Sequence, residues 1–271
     1  MSYVGTRLGR WYYEEWGSSR RAGDPTFVLC HGLFFDGGCW RSQAEALSAF
    51  GRVIVLDGPG HGRSEVPPAF TLEDHADALV DVCEGLRFDK AVWAGISWGG
   101  MIGMRLALRH PERVAGLALF DTNADGQRWT DRLQYRGLVG LVRAFGLSKA
   151  LVETRIVPEM FGATTIRERP DLVATFVSRL LGAKQEGIAR AANAVLVTRR
   201  SILRELPTLR VPSLVVVGEE DVATPKPFAD AIGLALGAGV HVVPRAGHTI
   251  SLEAPEAVDT LLTNFAKRVL G

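Results

Sequence analysis

The chain lacks the marks of several function classes. Its 271 residues hold 31 Lys and Arg against 30 Asp and Glu, a formal net charge of +1 at pH 7, and no run gathers the basic residues together. A nucleic-acid partner, which needs a positive footprint against phosphates, is therefore not expected. No stretch approaches the roughly 18 uninterrupted apolar residues of a membrane span. The start, Met1-Ser2-Tyr3-Val4-Gly5-Thr6-Arg7, has no apolar core of secretion-signal length, so the expectation is a soluble, cytoplasmic protein with no membrane partner. Only three cysteines occur, Cys30, Cys39 and Cys83. They have no metal-ligand spacing, and an odd number suits a reducing compartment, so no metal site is expected. The loop Asp57-Gly58-Pro59-Gly60-His61-Gly62-Arg63-Ser64 is glycine-rich but lacks a Gly-Lys-Ser/Thr ending. No G-x-G-x-x-G opens a helix either, which argues against a nucleotide site.

What the chain has in quantity is apolar residues, 47% of the total, arranged as short strand-like runs alternating with helical stretches. That alternation predicts one doubly wound, mostly parallel α/β sheet. An aromatic-rich antiparallel strand is expected over Arg10–Trp16, with parallel strands near 26–30, 52–56, 91–95, 114–120, 213–218 and 240–244. Thr71-Leu72-Glu73-Asp74 carries a capped helix start, and Pro255 opens the last helix. Between Thr122 and Leu206 strand runs vanish and helical periodicity takes over. The expected division is a core of residues 1–121 and 207–271 with a helical lid inserted over 122–206. That lid would exclude water and select the substrate.

Chemistry concentrates at strand ends. Gly95-Ile96-Ser97-Trp98-Gly99-Gly100 joins the run Ala91–Ala94 to the helical stretch Met101–Arg109. One serine thus sits on a sharp strand-to-helix turn whose flanking glycines avoid collision. A serine hydroxyl needs a base, and the base needs a carboxylate to fix its tautomer. Asp221 follows the strand Pro212–Gly218, and His248 lies on the loop after Val240–Pro244, in the order such a triad requires. Asp121, after the strand Val114–Phe120, is an alternative carboxylate. Glu219 and Glu220 read as solvated or loop-hydrogen-bonded residues, and His31, His61, His75, His110 and His241 have ordinary loop, helix-surface or turn explanations. An oxyanion hole is assigned to the amides of Trp98, at a helix N-terminus, and Leu33, after His31-Gly32. Phe34, Thr122, Trp129, Met160, Phe161 and Val222 are the candidate substrate-binding residues.

Taken together, His31-Gly32, Asp57–Ser64, Gly95–Gly100, Gly218-Glu219-Glu220-Asp221 and Gly247-His248 make the whole chain resemble the α/β-hydrolase superfamily. Within it, the chain looks like the branch of small esterases, lactonases, enol-lactonases and cofactor-free perhydrolases. The tetrad Ser97-Trp98-Gly99-Gly100 departs toward the epoxide-hydrolase and dehalogenase elbow, with serine in place of aspartate. An alkylated serine would be an ether that does not turn over, so serine implies an acyl-enzyme instead. The resemblance implies ester or lactone hydrolysis without a cofactor. With no arginine clamp assignable, a small to medium, largely apolar substrate is expected, unless Arg63, Arg132 or Arg143 points inward. Perhydrolysis would use the same triad. Carbon–carbon hydrolysis of a dienone acid would add a cationic patch under the lid, and a ligand-sensing receptor would show slow turnover.

Overall fold

A computed structural model describes residues 2–17 and 25–271. Eight strands form one sheet: β1 Ser2–Thr6, β2 Gly9–Trp16, β3 Thr26–Cys30, β4 Arg52–Leu56, β5 Ala91–Ile96, β6 Val114–Phe120, β7 Ser213–Gly218 and β8 Val240–Val243. Their order is β1-β2-β4-β3-β5-β6-β7-β8. Only the β1–β2 and β2–β4 pairs are antiparallel. β1 is an edge strand that the short, mixed composition of Ser2–Thr6 does not announce; the other strands fall where the apolar runs predict.

The central strands are buried on both faces, as a parallel sheet covered by helices requires. In β3, Phe27 and Leu29 enter one core while Val28 and Cys30 enter the other. Helix α1 (Arg41–Leu47) and the last helix cover the first face. Helices α2 (Leu72–Leu86) and α3 (Trp98–Arg109) cover the second. The start of α2 is the expected capping box: the Thr71 hydroxyl accepts from the Asp74 amide at 3.1 Å, and the Asp74 carboxylate accepts from the Thr71 amide at 2.8 Å.

Between β6 and β7 the chain is helical. Helices α4 (Trp129–Phe145), α5 (Pro170–Leu181) and α6 (Gln185–Ala192) are joined by shorter helical turns. This segment has a core of its own, in which Val152, Ile156, Met160, Phe161, Phe176 and Leu180 meet. It is also tied to the sheet edge: the Thr249 hydroxyl donates to the Met160 carbonyl at 2.7 Å, and the Gly162 amide donates to Glu253 at 2.8 Å. Helices α7 (Lys226–Leu236) and α8 (Pro255–Leu270) complete the layers. Among the described residues no helix is long and apolar enough to cross a membrane.

Candidate active site

Ser97 lies between β5 and α3 with φ 53° and ψ −114°, in a backbone region that costs a non-glycine residue about 1–3 kcal/mol. The strain is held in place from three directions. The Ser97 amide donates to the Phe120 carbonyl at 2.9 Å, and its carbonyl accepts from the Met101 amide at 3.0 Å and from the Thr122 hydroxyl at 2.7 Å. The flanking glycines are steric necessities. A Cβ on Gly95 would stand 2.2 Å from the Gly99 carbonyl carbon, and one on Gly99 would stand 2.1 Å from the Cys30 oxygen. β3, β5 and α3 therefore approach more closely here than any side chain permits.

The structure brings Ser97, His248 and Asp221 into one hydrogen-bonded line. Ser97 Oγ is 2.8 Å from His248 Nε2, and His248 Nδ1 is 3.0 Å and 3.1 Å from the two Asp221 oxygens. A carboxylate only accepts, so Nδ1 carries the proton and Nε2 faces the serine hydroxyl as an acceptor. Asp221 also accepts from the Ala223 and Thr224 amides, both at 2.9 Å, and from the Thr224 hydroxyl at 2.7 Å. Burial pulls its carboxyl upward, but the facing His248 and these donors outweigh burial and hold it below the ordinary carboxylate value. Asp121 behaves in the opposite way. Burial, and next the facing Asp221, hold it well above its ordinary value, which the Gly218 amide at 2.7 Å on Oδ1 does not offset. Of the two carboxyls it is the one that its surroundings push toward the neutral form.

The turn after β3 takes its left-handed residue from a position other than its glycine. Gly32 has no left-handed backbone, and a Cβ there would meet nothing closer than 3.4 Å; the left-handed residue is Phe34, at φ 75°. His31 fixes the start of this turn, accepting the Gly58 amide on Nε2 at 2.7 Å and donating from Nδ1 to the Gly32 carbonyl at 2.7 Å. The glycine-rich loop that follows β4 is structural. Asp57 accepts the Gly37 and Arg63 amides, both at 2.8 Å, and a Cβ on Gly62 would overlap the Asp57 carboxylate at 2.1 Å.

Trp98 follows the serine, but its buried side chain does not line the cavity over Ser97. Its ring centroid lies 5.7, 5.1 and 4.9 Å from those of His31, His61 and His75. Burial pushes the His61 imidazole down to about 3 and the His75 imidazole well below its ordinary value. Both stay neutral in the folded protein while the unfolded chain takes up protons near pH 6.5. Their contribution to stability is thus whole above that pH and is lost as pH falls from 6.5 toward 3. His61 alone should cost about 2 kcal/mol by pH 5. A lower denaturant midpoint at pH 5 than at pH 7.5, with the gap narrowed in His61→Asn, is expected; equal midpoints would reject this account.

A cavity of about 860 Å³ opens over Ser97 and His248. Of the candidate substrate-binding residues, Phe34, Met160 and Val222 line it together with Leu33. Three do not. Trp129 is 77% exposed on the first turn of α4. Phe161 is buried against Phe35 and Phe176, with ring centroids at 6.3 and 5.2 Å, in the helical segment's own core. Thr122 is spent on the Ser97 carbonyl. Sequence reasoning also missed much of the wall: Met101, Tyr135, Val139, Ile156, Ile188 and Arg199 face the cavity. Only the spacing of Met101, one turn after Ser97, signals such a position. Arg63 instead hydrogen-bonds Tyr12, Arg143 pairs with Glu186, and Arg132 donates to the Arg199 carbonyl. Among the described residues no three His, Cys, Asp or Glu side chains converge as metal ligands.

The sequence profile of the alpha/beta hydrolase family matches residues 27–260. The chain belongs to this family. This alpha/beta hydrolase is 24% identical over 245 residues to 3-oxoadipate enol-lactonase 1 of Acinetobacter baylyi, covering 90% of each chain. It is 28% identical over 255 residues to the pimeloyl-[acyl-carrier protein] methyl ester esterase of Yersinia enterocolitica, covering 91% of this chain and 95% of the relative. Among solved structures, a thermophilic esterase from Thermogutta terrifontis superposes with a TM-score of 0.90 at 29% identity over 99% of this chain and 98% of that one. The enol-lactonase of Burkholderia xenovorans LB400 gives 0.88 at 27% identity over 98% and 100%. These relatives are consistent with an alpha/beta hydrolase that acts on esters.

Proposed function

We propose that this alpha/beta hydrolase is a serine hydrolase that cleaves carboxylic esters or lactones through an acyl-enzyme. The observation that carries the reading is the line Ser97 Oγ, His248 Nε2, His248 Nδ1, Asp221, every link at 3.1 Å or less. His248 takes the hydroxyl proton as Ser97 attacks the carbonyl, and Asp221 holds the imidazole and stabilises its cation. The amides of Leu33 and Trp98 receive the oxyanion, the latter with the partial positive charge of the α3 N-terminus behind it. His248 then returns the proton to the leaving alkoxide, or to the ring-opened alkoxide of a lactone. Water repeats the attack on the acyl-serine and frees the acid. The helical segment 122–206 acts as a lid, because its side chains form most of the cavity wall over Ser97.

The test is turnover of p-nitrophenyl esters of graded acyl length and of a lactone panel, by wild type and Ser97→Ala side by side. Activity lost in the variant supports the reading, and the chain-length optimum sizes the pocket. Activity retained in the variant overturns it. Arg199 favours one second reading, carbon–carbon hydrolysis of a dienone acid by the same triad. Cleavage of such a ketone with no turnover on any ester would select it.

A further inference from the structure

Arg199 lies just beyond the last turn of the helical segment, only 4% exposed, yet it lines the cavity that holds Ser97. Among the described residues it has no ion pair, and its Nε has no partner at all. Its guanidinium finds one hydrogen-bond contact, from Nη1 to the thioether sulfur of Met101 at 3.0 Å, and sulfur is a weak acceptor. The charged neighbours sharpen the imbalance. Arg105 is saturated by Glu73 at 2.9 Å and by the Met101 and Arg200 carbonyls. Arg132 adds a second cation close by, and its Nε is also buried without a partner. Asp125 attracts Arg199 only from beyond ion-pair distance. Burial pushes the guanidinium down to about 10, with repulsion from Arg105 next, which leaves it charged at neutral pH.

A buried cation with unused donors is unfavourable until an anion meets it. The other lining cation and the lining carboxylate, Arg155 and Glu159, are both exposed, and Glu159 forms no ion pair with Arg199 among the described residues. The rest of the wall is mainly aliphatic, including Leu33, Val139, Ile156 and Ile188.

We propose that Arg199 binds a carboxylate of the substrate, so that the preferred substrates are acid-bearing esters or lactones rather than neutral ones. The proposal rests on the serine-hydrolase reading above and narrows its substrate class. The guanidinium fork offers parallel N–H donors that match a carboxylate's two oxygens. Met101, which it touches, is one turn of α3 beyond Ser97, about 6 Å along the helix. A linker of a few carbons between the scissile carbonyl and the acid fits that spacing. The expectation of a largely apolar substrate is narrowed accordingly: an apolar body with one anionic end.

The experiment compares mono-p-nitrophenyl glutarate with p-nitrophenyl valerate, which share chain length and differ in the terminal charge. Wild type should favour the glutarate ester in kcat/KM, and free glutarate should competitively inhibit valerate hydrolysis while pentanol does not. In Arg199→Met the glutarate-to-valerate ratio should fall roughly ten- to a hundredfold, the scale of a lost charge-assisted pair. Arg199→Lys should restore part of that ratio. Calorimetric binding of glutarate to Ser97→Ala, lost in Ser97→Ala/Arg199→Met, reads recognition apart from chemistry. A wild type that prefers the neutral ester and ignores glutarate overturns the proposal, as does an unchanged ratio in Arg199→Met. Ser97→Ala that still turns over either ester would instead overturn the serine-hydrolase reading. The wild-type comparisons need no variant, so a poorly folded Arg199→Met would leave the proposal decided.

Discussion

Replacing Ser97 with alanine is expected to lower kcat/KM on the best ester by about 10⁵-fold or more while leaving the fold intact. The loss is large because the proposed nucleophile, base and orienting acid act as a unit: without the hydroxyl, His248 has no proton to take and no acyl-enzyme forms. What remains is oxyanion stabilisation and substrate positioning for direct attack by water. The fold should survive because the elbow is held by backbone contacts that alanine keeps. These are the Phe120 carbonyl on the residue 97 amide, and the Thr122 hydroxyl and Met101 amide on its carbonyl. Alanine must still adopt φ near 53°, so it inherits the strain rather than relieving it. A thermal midpoint within a few degrees of wild type, with esterase activity at background, is the expected pair of results. Turnover above a few per cent in a folded variant would remove Ser97 from the mechanism.

The parts of this site legible in the sequence are those fixed by backbone geometry. Glycines at 95 and 99 are forced by collisions with Gly99 and Cys30, so the spacing itself carries the turn. Asp221 and His248 follow apolar runs, and a parallel sheet delivers the ends of its strands to one edge. The walls of the cavity were less legible because amphipathic periodicity reports that a side chain is buried, not what it is buried against. Phe161 satisfies the same pattern as Met160 but packs into the helical segment's own core, while Met160 reaches the cavity. Trp129 has the composition of a binding residue and the position of an exposed first turn. Arg199 sits in the polar run Thr198-Arg199-Arg200-Ser201, inside the stretch expected to be a helical lid and without any motif that marks it. Only the return of that run against Met101 turns one of its two arginines inward. Gly32 and Phe34 show the same limit at the backbone: the glycine suggests the left-handed turn, and the phenylalanine makes it.

The two candidate carboxylates separate in a second pair of variants. Asp221→Asn should cost about 10⁴-fold in kcat, because the Asp221 carboxylate accepts from four donors: the Ala223 and Thr224 amides, the Thr224 hydroxyl and His248 Nδ1. An asparagine has one oxygen for these and must present its NH₂ to some of them. With its oxygen kept on the Ala223 and Thr224 amides, the NH₂ faces His248 Nδ1. The imidazole then carries its proton on Nε2, where it can no longer take one from Ser97. Asp121→Asn should cost less than about tenfold. Burial and repulsion from Asp221 push Asp121 toward its neutral form, and asparagine keeps the oxygen that accepts the Gly218 amide. The substitution therefore places no new charge opposite Asp221. Single-turnover acylation rates for both variants, measured beside their thermal midpoints, distinguish the two positions. A large loss at Asp121 with a mild one at Asp221 would move the orienting acid to the end of β6.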